Sequence, residues 1–233
     1  MKRNITKLAK QLSEMIQPEI DAASATDGVL IVLASELPEP RIDALDAFGI
    51  TSTVFGSFFG HVGPCMILND ELALKFHHGV ESDAVDLLTA ISIHETSHFL
   101  TRGARLFEQM NVPGVTLSPE HLVHLINNQD TSRDRSESSP TELHTLDWAR
   151  GVFHLAYRAN VRGIYCSLSR IANWDAAGFV SGPWRYQGAL GDELEQFASR
   201  SIGDVLREPM PSEFLDMWKK DRLHVAVDRV GKA

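Results

Sequence analysis

Ile5, Leu8, Leu12, Met15 and Ile16 recur at intervals of three and four, with polar residues between them. That spacing predicts an amphipathic helix over the first twenty residues. Gly28-Val29-Leu30-Ile31-Val32-Leu33-Ala34 is continuously apolar between Asp27 and Pro38, which predicts a short buried strand. Glu36 to Pro40 reads as a turn, Arg41 to Phe48 as a short helix, and Thr51 to Phe55 as a strand. Pro64-Cys65-Met66-Ile67-Leu68-Asn69 is a further apolar strand, with glycines 56, 60 and 63 marking a turn or bulge before it.

The next element predicts a buried helix from Glu81 to Thr101, with Ala84, Leu87, Leu88, Ile91, Ile93 and Phe99 near helical spacing and Gly103 at its end. Asn111 to Gly114 is a turn, and Pro119 opens a helix holding His121 and His124. Residues 129–139 contain no apolar side chain and predict a solvated loop. Thr141 to Arg162 predicts a long helix, Leu190 to Leu206 another, and Pro211 to Trp218 the start of a short last one. Trp174, Trp184 and Tyr186 lie among glycines and prolines in an aromatic, loop-rich section. A few short strands followed by a largely helical second half give an α+β class.

Composition narrows the picture. A chain of 233 residues suits one domain, read as a core over 1–172 with an aromatic extension over 173–233. The net charge of −9 argues against a generalised nucleic-acid or anionic-membrane surface. Cys65 and Cys166 sit in apolar surroundings and predict buried thiols, and with no C-x-x-C pair a cysteine zinc ribbon is ruled out. The basic start lacks the continuous apolar run of a signal peptide, and no run is long enough to span a bilayer. The cytoplasm is the expected location.

The chemistry lies in His94-Glu95-Thr96-Ser97-His98, an H-E-x-x-H sequence inside the predicted buried helix. Histidines four apart on a helix stand one above the other and can offer two nitrogens to one metal ion. The glutamate between them is placed to take a proton from a metal-bound water, the arrangement of a zinc-dependent peptide hydrolase. A catalytic zinc takes a third protein ligand. A metzincin continuation is excluded, because Thr101 and Ala104 occupy the positions it would need. His144, Glu142, Asp147 and His154, all in the Thr141–Arg162 helix, are the candidates. Asp147 could instead orient a ligand histidine, and His154 could be an oxyanion donor or a core histidine. His77 and His78 are adjacent and suit a solvated turn, and His121 and His124 suit a half-exposed helix face.

His144-Thr145-Leu146-Asp147-Trp148 resembles the H-G-x-x-[FW] segment that follows H-E-x-x-H in SprT-like zinc metallopeptidases, with Thr145 in place of the family glycine. The resemblance spans roughly residues 64 to 160. It implies a zincin-like fold, a small mixed sheet packed on an active-site helix. It implies one Zn2+ held by His94, His98 and His144, with Glu95 as general base and a peptide or protein as substrate. The Cys65–Asn69 run resembles the strand before the zincin helix, where an edge strand holds extended peptide by backbone pairing. The competing expectation is a non-catalytic zinc-binding interaction protein on the same scaffold. A closed site with His144 and either Asp147 or Glu142 bound would mark that case, whereas Glu95 favours the enzyme, since a structural site needs no base.

Overall fold

A computed structural model describes residues 1–19, 27–37, 48–52, 59–61, 63–101, 144–171 and 181–230. The helices expected over 41–48 and from Pro119, the loop over 129–139, Glu142, His121, His124 and Trp174 lie outside the described residues, apart from Phe48.

The described chain is mostly helical with one small sheet, an α+β arrangement. Helix α1, Lys2–Met15, buries Ile5, Leu8, Leu12 and Met15 on one stripe, as the sequence spacing requires. Three four-residue strands follow: β1 Leu30–Leu33, β2 Gly49–Ser52 and β3 Cys65–Leu68. Their order is β1-β3-β2, with β3 parallel to β1 and antiparallel to β2. Leu30 pairs with Cys65 on one side, and Gly49 with Leu68 on the other. The Cys65–Asn69 run is therefore the central strand and not an edge. Having neighbours on both sides is why all four residues of β3 are buried. Strand β2 begins two residues before the expected Thr51–Phe55 strand, of which residues 53–55 lie outside the described residues.

Helix α2, Asp70–Phe76, is capped by Asn69, whose side chain accepts from the Leu72 amide at 2.9 Å. The turn at 77–79 holds His77 and His78: His78 is exposed in the left-handed region, as a solvated turn requires, whereas His77 is half-buried. Helix α3 spans Glu81–Thr101, the range its periodicity predicts. It is the central helix, touching α1, α2, β2 and β3. From Leu87 onward almost every side chain is buried, so its polar residues need internal partners. Thr89, Ser92, Thr96 and Thr101 each donate to the carbonyl one turn back, at 2.7–2.8 Å.

Helix α4, Leu146–Val161, packs on α3 more extensively than any other element. The expected start at Thr141 is corrected: Thr145 is the N-cap and accepts from the Trp148 amide at 3.1 Å. His144 consequently sits just before the helix and not within it. Short helices α5 (Leu168–Ile171), α6 (Pro183–Leu190), α7 (Glu193–Gln196) and α8 (Ile202–Arg207) follow. The single helix expected over 190–206 is thus broken, first at Gly191 and again where Ser201 caps α8. The last helix, α9, runs Ser212–Val230 and is much longer than expected. A core centred on α3 and α4 includes Leu12, Met66, Leu88, Ile93, Trp148 and Phe153. Among the described residues no helix is long and apolar enough to cross a membrane. Cys65 and Cys166 are free thiols, which burial pushes up to about 12.

Candidate metal centre

His94 and His98 rise from the same face of α3, and both are buried. His98 Nε2 lies 3.1 Å from His94 Nε2. His144, placed by the Thr145 cap at the entry to α4, brings its own Nε2 to 3.3 Å from His94 Nε2. The ligand atoms of the three rings all lie within 4.8 Å of one another. In a tetrahedron with metal–nitrogen bonds of about 2.0–2.1 Å, neighbouring nitrogens stand about 3.3–3.4 Å apart. The separations from His94 fit that figure, so the group could hold a metal ion.

Two further features fix the rings. His94 Nδ1 is 2.6 Å from the carbonyl oxygen of Ile171, the last residue of α5. A carbonyl only accepts, so Nδ1 carries the hydrogen, and a neutral His94 turns a bare Nε2 towards the other two rings. Burial drives the His94 imidazole down to about 4, against the opposing pull of the Ile171 carbonyl, so His94 is neutral at pH 7. Trp148 forms the wall of the cluster. Its ring stacks on His98 at 5.2 Å and meets His94 and His144 edge-on at 4.9 and 4.4 Å. Tryptophan is the aromatic of the His144–Trp148 segment, so sequence carried a signal for it. No signal could have marked the Ile171 carbonyl, because every residue has one.

Glu95 projects from α3 next to His94 and is half-buried. Strand β2 passes over this part of the helix at Gly49, where a Cβ would fall 2.5 Å from Ile91 Cγ2 and 3.6 Å from Glu95 Cγ. Only glycine lets the strand come so close.

The other candidates part from the centre. Asp147 is exposed and is not a member of the three-histidine group. His154 is fully buried, and its Nε2 donates to Glu193 Oε1 at 2.8 Å. Burial holds its imidazole below the usual range, opposed by the bond to Glu193. It serves a buried network, not the histidine cluster. Of the aromatic residues in the extension, Tyr186 is fully buried and donates to Asp221 at 2.9 Å, while Trp184 is 73% exposed. No protein-family model, characterised protein or solved structure matches this chain.

Proposed function

We propose that the chain is a zinc-dependent metallopeptidase, with His94, His98 and His144 as ligands and Glu95 as general base. The convergence of three imidazole Nε2 atoms, with a glutamate adjoining the first, carries this reading. Three nitrogen donors leave a position for water, and the donor set suits zinc. Zinc bound by His94, His98 and His144 would supply Lewis acidity and lower the pKa of a water at the open position towards about 7. Glu95 would accept the proton of the attacking water as its oxygen bonds to the peptide carbonyl carbon, and would pass that proton to the amine nitrogen as the C–N bond breaks. His94 stays neutral and oriented through Ile171, and Trp148 keeps the ligand side of the cluster dry. Strand β2 pairs with β3 on one side only among the described residues, so its other edge can hold an extended peptide beside Glu95. That role moves to β2 from the Cys65–Asn69 strand. Asp147 is exposed and is not a member of the three-histidine group, which argues against it as a fourth ligand.

The test measures metal content and peptide cleavage together. Purified protein should hold one zinc per chain by mass spectrometry, and His94→Ala with His98→Ala should hold none. Glu95→Gln should keep the zinc and lose cleavage of a denatured-casein substrate. Zinc retained in the double histidine variant would overturn the site. Cleavage undiminished in Glu95→Gln would overturn the mechanism.

A further inference from the structure

We infer that Gly151 is a positioning residue for the third metal ligand, acting through a notch against Ser97 and Thr101; this rests on the metal-site reading above. Helices α3 and α4 cross at this point. A Cβ on Gly151 would fall 2.8 Å from Thr101 Cγ2 and 2.9 Å from Ser97 Oγ. Both distances are shorter than real Cβ contacts, and both neighbours belong to the buried helix that carries His94 and His98.

The notch is closed by a hydrogen bond as well as by shape. Ser97 Oγ donates to the Trp148 carbonyl at 3.0 Å, and Trp148 lies one turn into α4 from its cap. Thr101 Oγ1 donates to the Ser97 carbonyl at 2.8 Å, which holds its Cγ2 on the Gly151 side. Neither neighbour can swing away without breaking its hydrogen bond, which is buried for Ser97 and partly buried for Thr101.

The consequence falls on His144. It precedes α4 directly, so its distance from His94 is set by how closely α4 lies on α3. Carbon atoms pack at about 3.5–4.0 Å, so an alanine at 151 pushes the helices apart by roughly 0.7 Å. Metal–ligand distances in a well-formed site lie within about 0.2 Å of their ideal values. Ser97 also adjoins His98, so part of the same push reaches a second ligand. Glycine in a helix interior is ordinarily unfavourable, and this is the compensation for keeping it here.

The test is a steric-rescue cycle read by zinc titration and by crystal structures of the metal-free proteins. Gly151→Ala in the native chain should weaken zinc by about tenfold or more, in the range of lost supporting contacts. It should also lengthen the His144–His94 Nε2 separation beyond 3.3 Å. Ser97→Ala with Thr101→Ser removes both crowding atoms, and Gly151→Ala added to that pair should change neither zinc affinity nor spacing. A merely destabilising alanine would act alike in both backgrounds. If Gly151→Ala alone fails to fold, Gly151→Val in the roomy pair refills the gap and should weaken zinc about tenfold, where Gly151→Ala there does not. Equal effects in the two backgrounds, or an unchanged spacing, would overturn the inference. A wild type that takes up no zinc while the spacing still responds would overturn the metal reading instead.

Discussion

Glu193→Ala should cost about 3–5 kcal/mol, the usual loss when one partner of a buried ion pair is removed. Arg150 is fully buried on α4 and binds Glu193 with both prongs of its guanidinium, Nε to Oε1 at 2.9 Å and Nη2 to Oε2 at 2.8 Å. His154, one turn further on, donates to the same Oε1. Burial pushes the Glu193 carboxyl up, but the bonds from His154 and Arg150 outweigh it and hold it below the usual carboxylate range. Truncation strands a guanidinium whose remaining acceptors are the carbonyls of Glu208 and Pro209. It also removes the acceptor of a buried imidazole. The two losses share one carboxylate and do not add. For a chain of this size each kcal/mol moves Tm by about 2–4 °C, so Tm should fall by about 6–20 °C. Calorimetry on metal-free protein measures it, with Glu193→Gln as a milder control that keeps the shape and drops the charge. A loss below about 1 kcal/mol would refute the argument, because it would mean that the charge on Arg150 reaches water.

Zinc at about a hundred times its Kd should stabilise the wild type by about 2.7 kcal/mol and leave His94→Ala unmoved; an absent shift in the wild type refutes the site. Stability of the metal-free protein should be full above about pH 7 and fall as the pH drops from about 6.5 to about 4. In that window the unfolded chain binds a proton that buried His94 refuses until about 4. The loss from His94 is on the order of 3 kcal/mol, and His154, shifted the same way, adds to it. Urea unfolding across pH checks this, and a flat profile refutes it. Asp221→Asn should destabilise by about 2–4 kcal/mol, because the buried carboxylate accepts from the Ser181 amide and hydroxyl and from Tyr186. Chemical denaturation would show it, and a cost under about 0.5 kcal/mol would mean that the amide is accommodated.

Much of this arrangement was legible in the sequence. Helix α3 was readable to both ends because its long apolar pattern stops at a turn on one side and near Gly103 on the other. The His94–His98 pair follows from helix geometry alone. The location of β3 was readable but its place in the sheet was not, since a run of apolar residues says a strand is buried and not which strands flank it. His144 stands out by resemblance, but its place at the helix entry is not legible, because threonine at 141 or 145 can cap a helix and only the Thr145 bond to the Trp148 amide fixes the start. The role of His154 depends on Glu193, which is thirty-nine positions away and carries no local mark.

The Ile171 carbonyl and the Trp148 wall have a kinetic meaning. The supports that aim the three imidazoles are backbone and aromatic contacts that owe nothing to an ion. A metal ion taken up there would meet a preformed receptor, because the rotamer entropy of the three histidines is already lost in folding. In small zinc modules, by contrast, the ion and the fold arrive together. If zinc occupies this group, the two processes should separate: a chelator should strip the site without melting the helices, the emptied protein should keep its far-ultraviolet dichroism, and added zinc should return at the speed of ligand exchange.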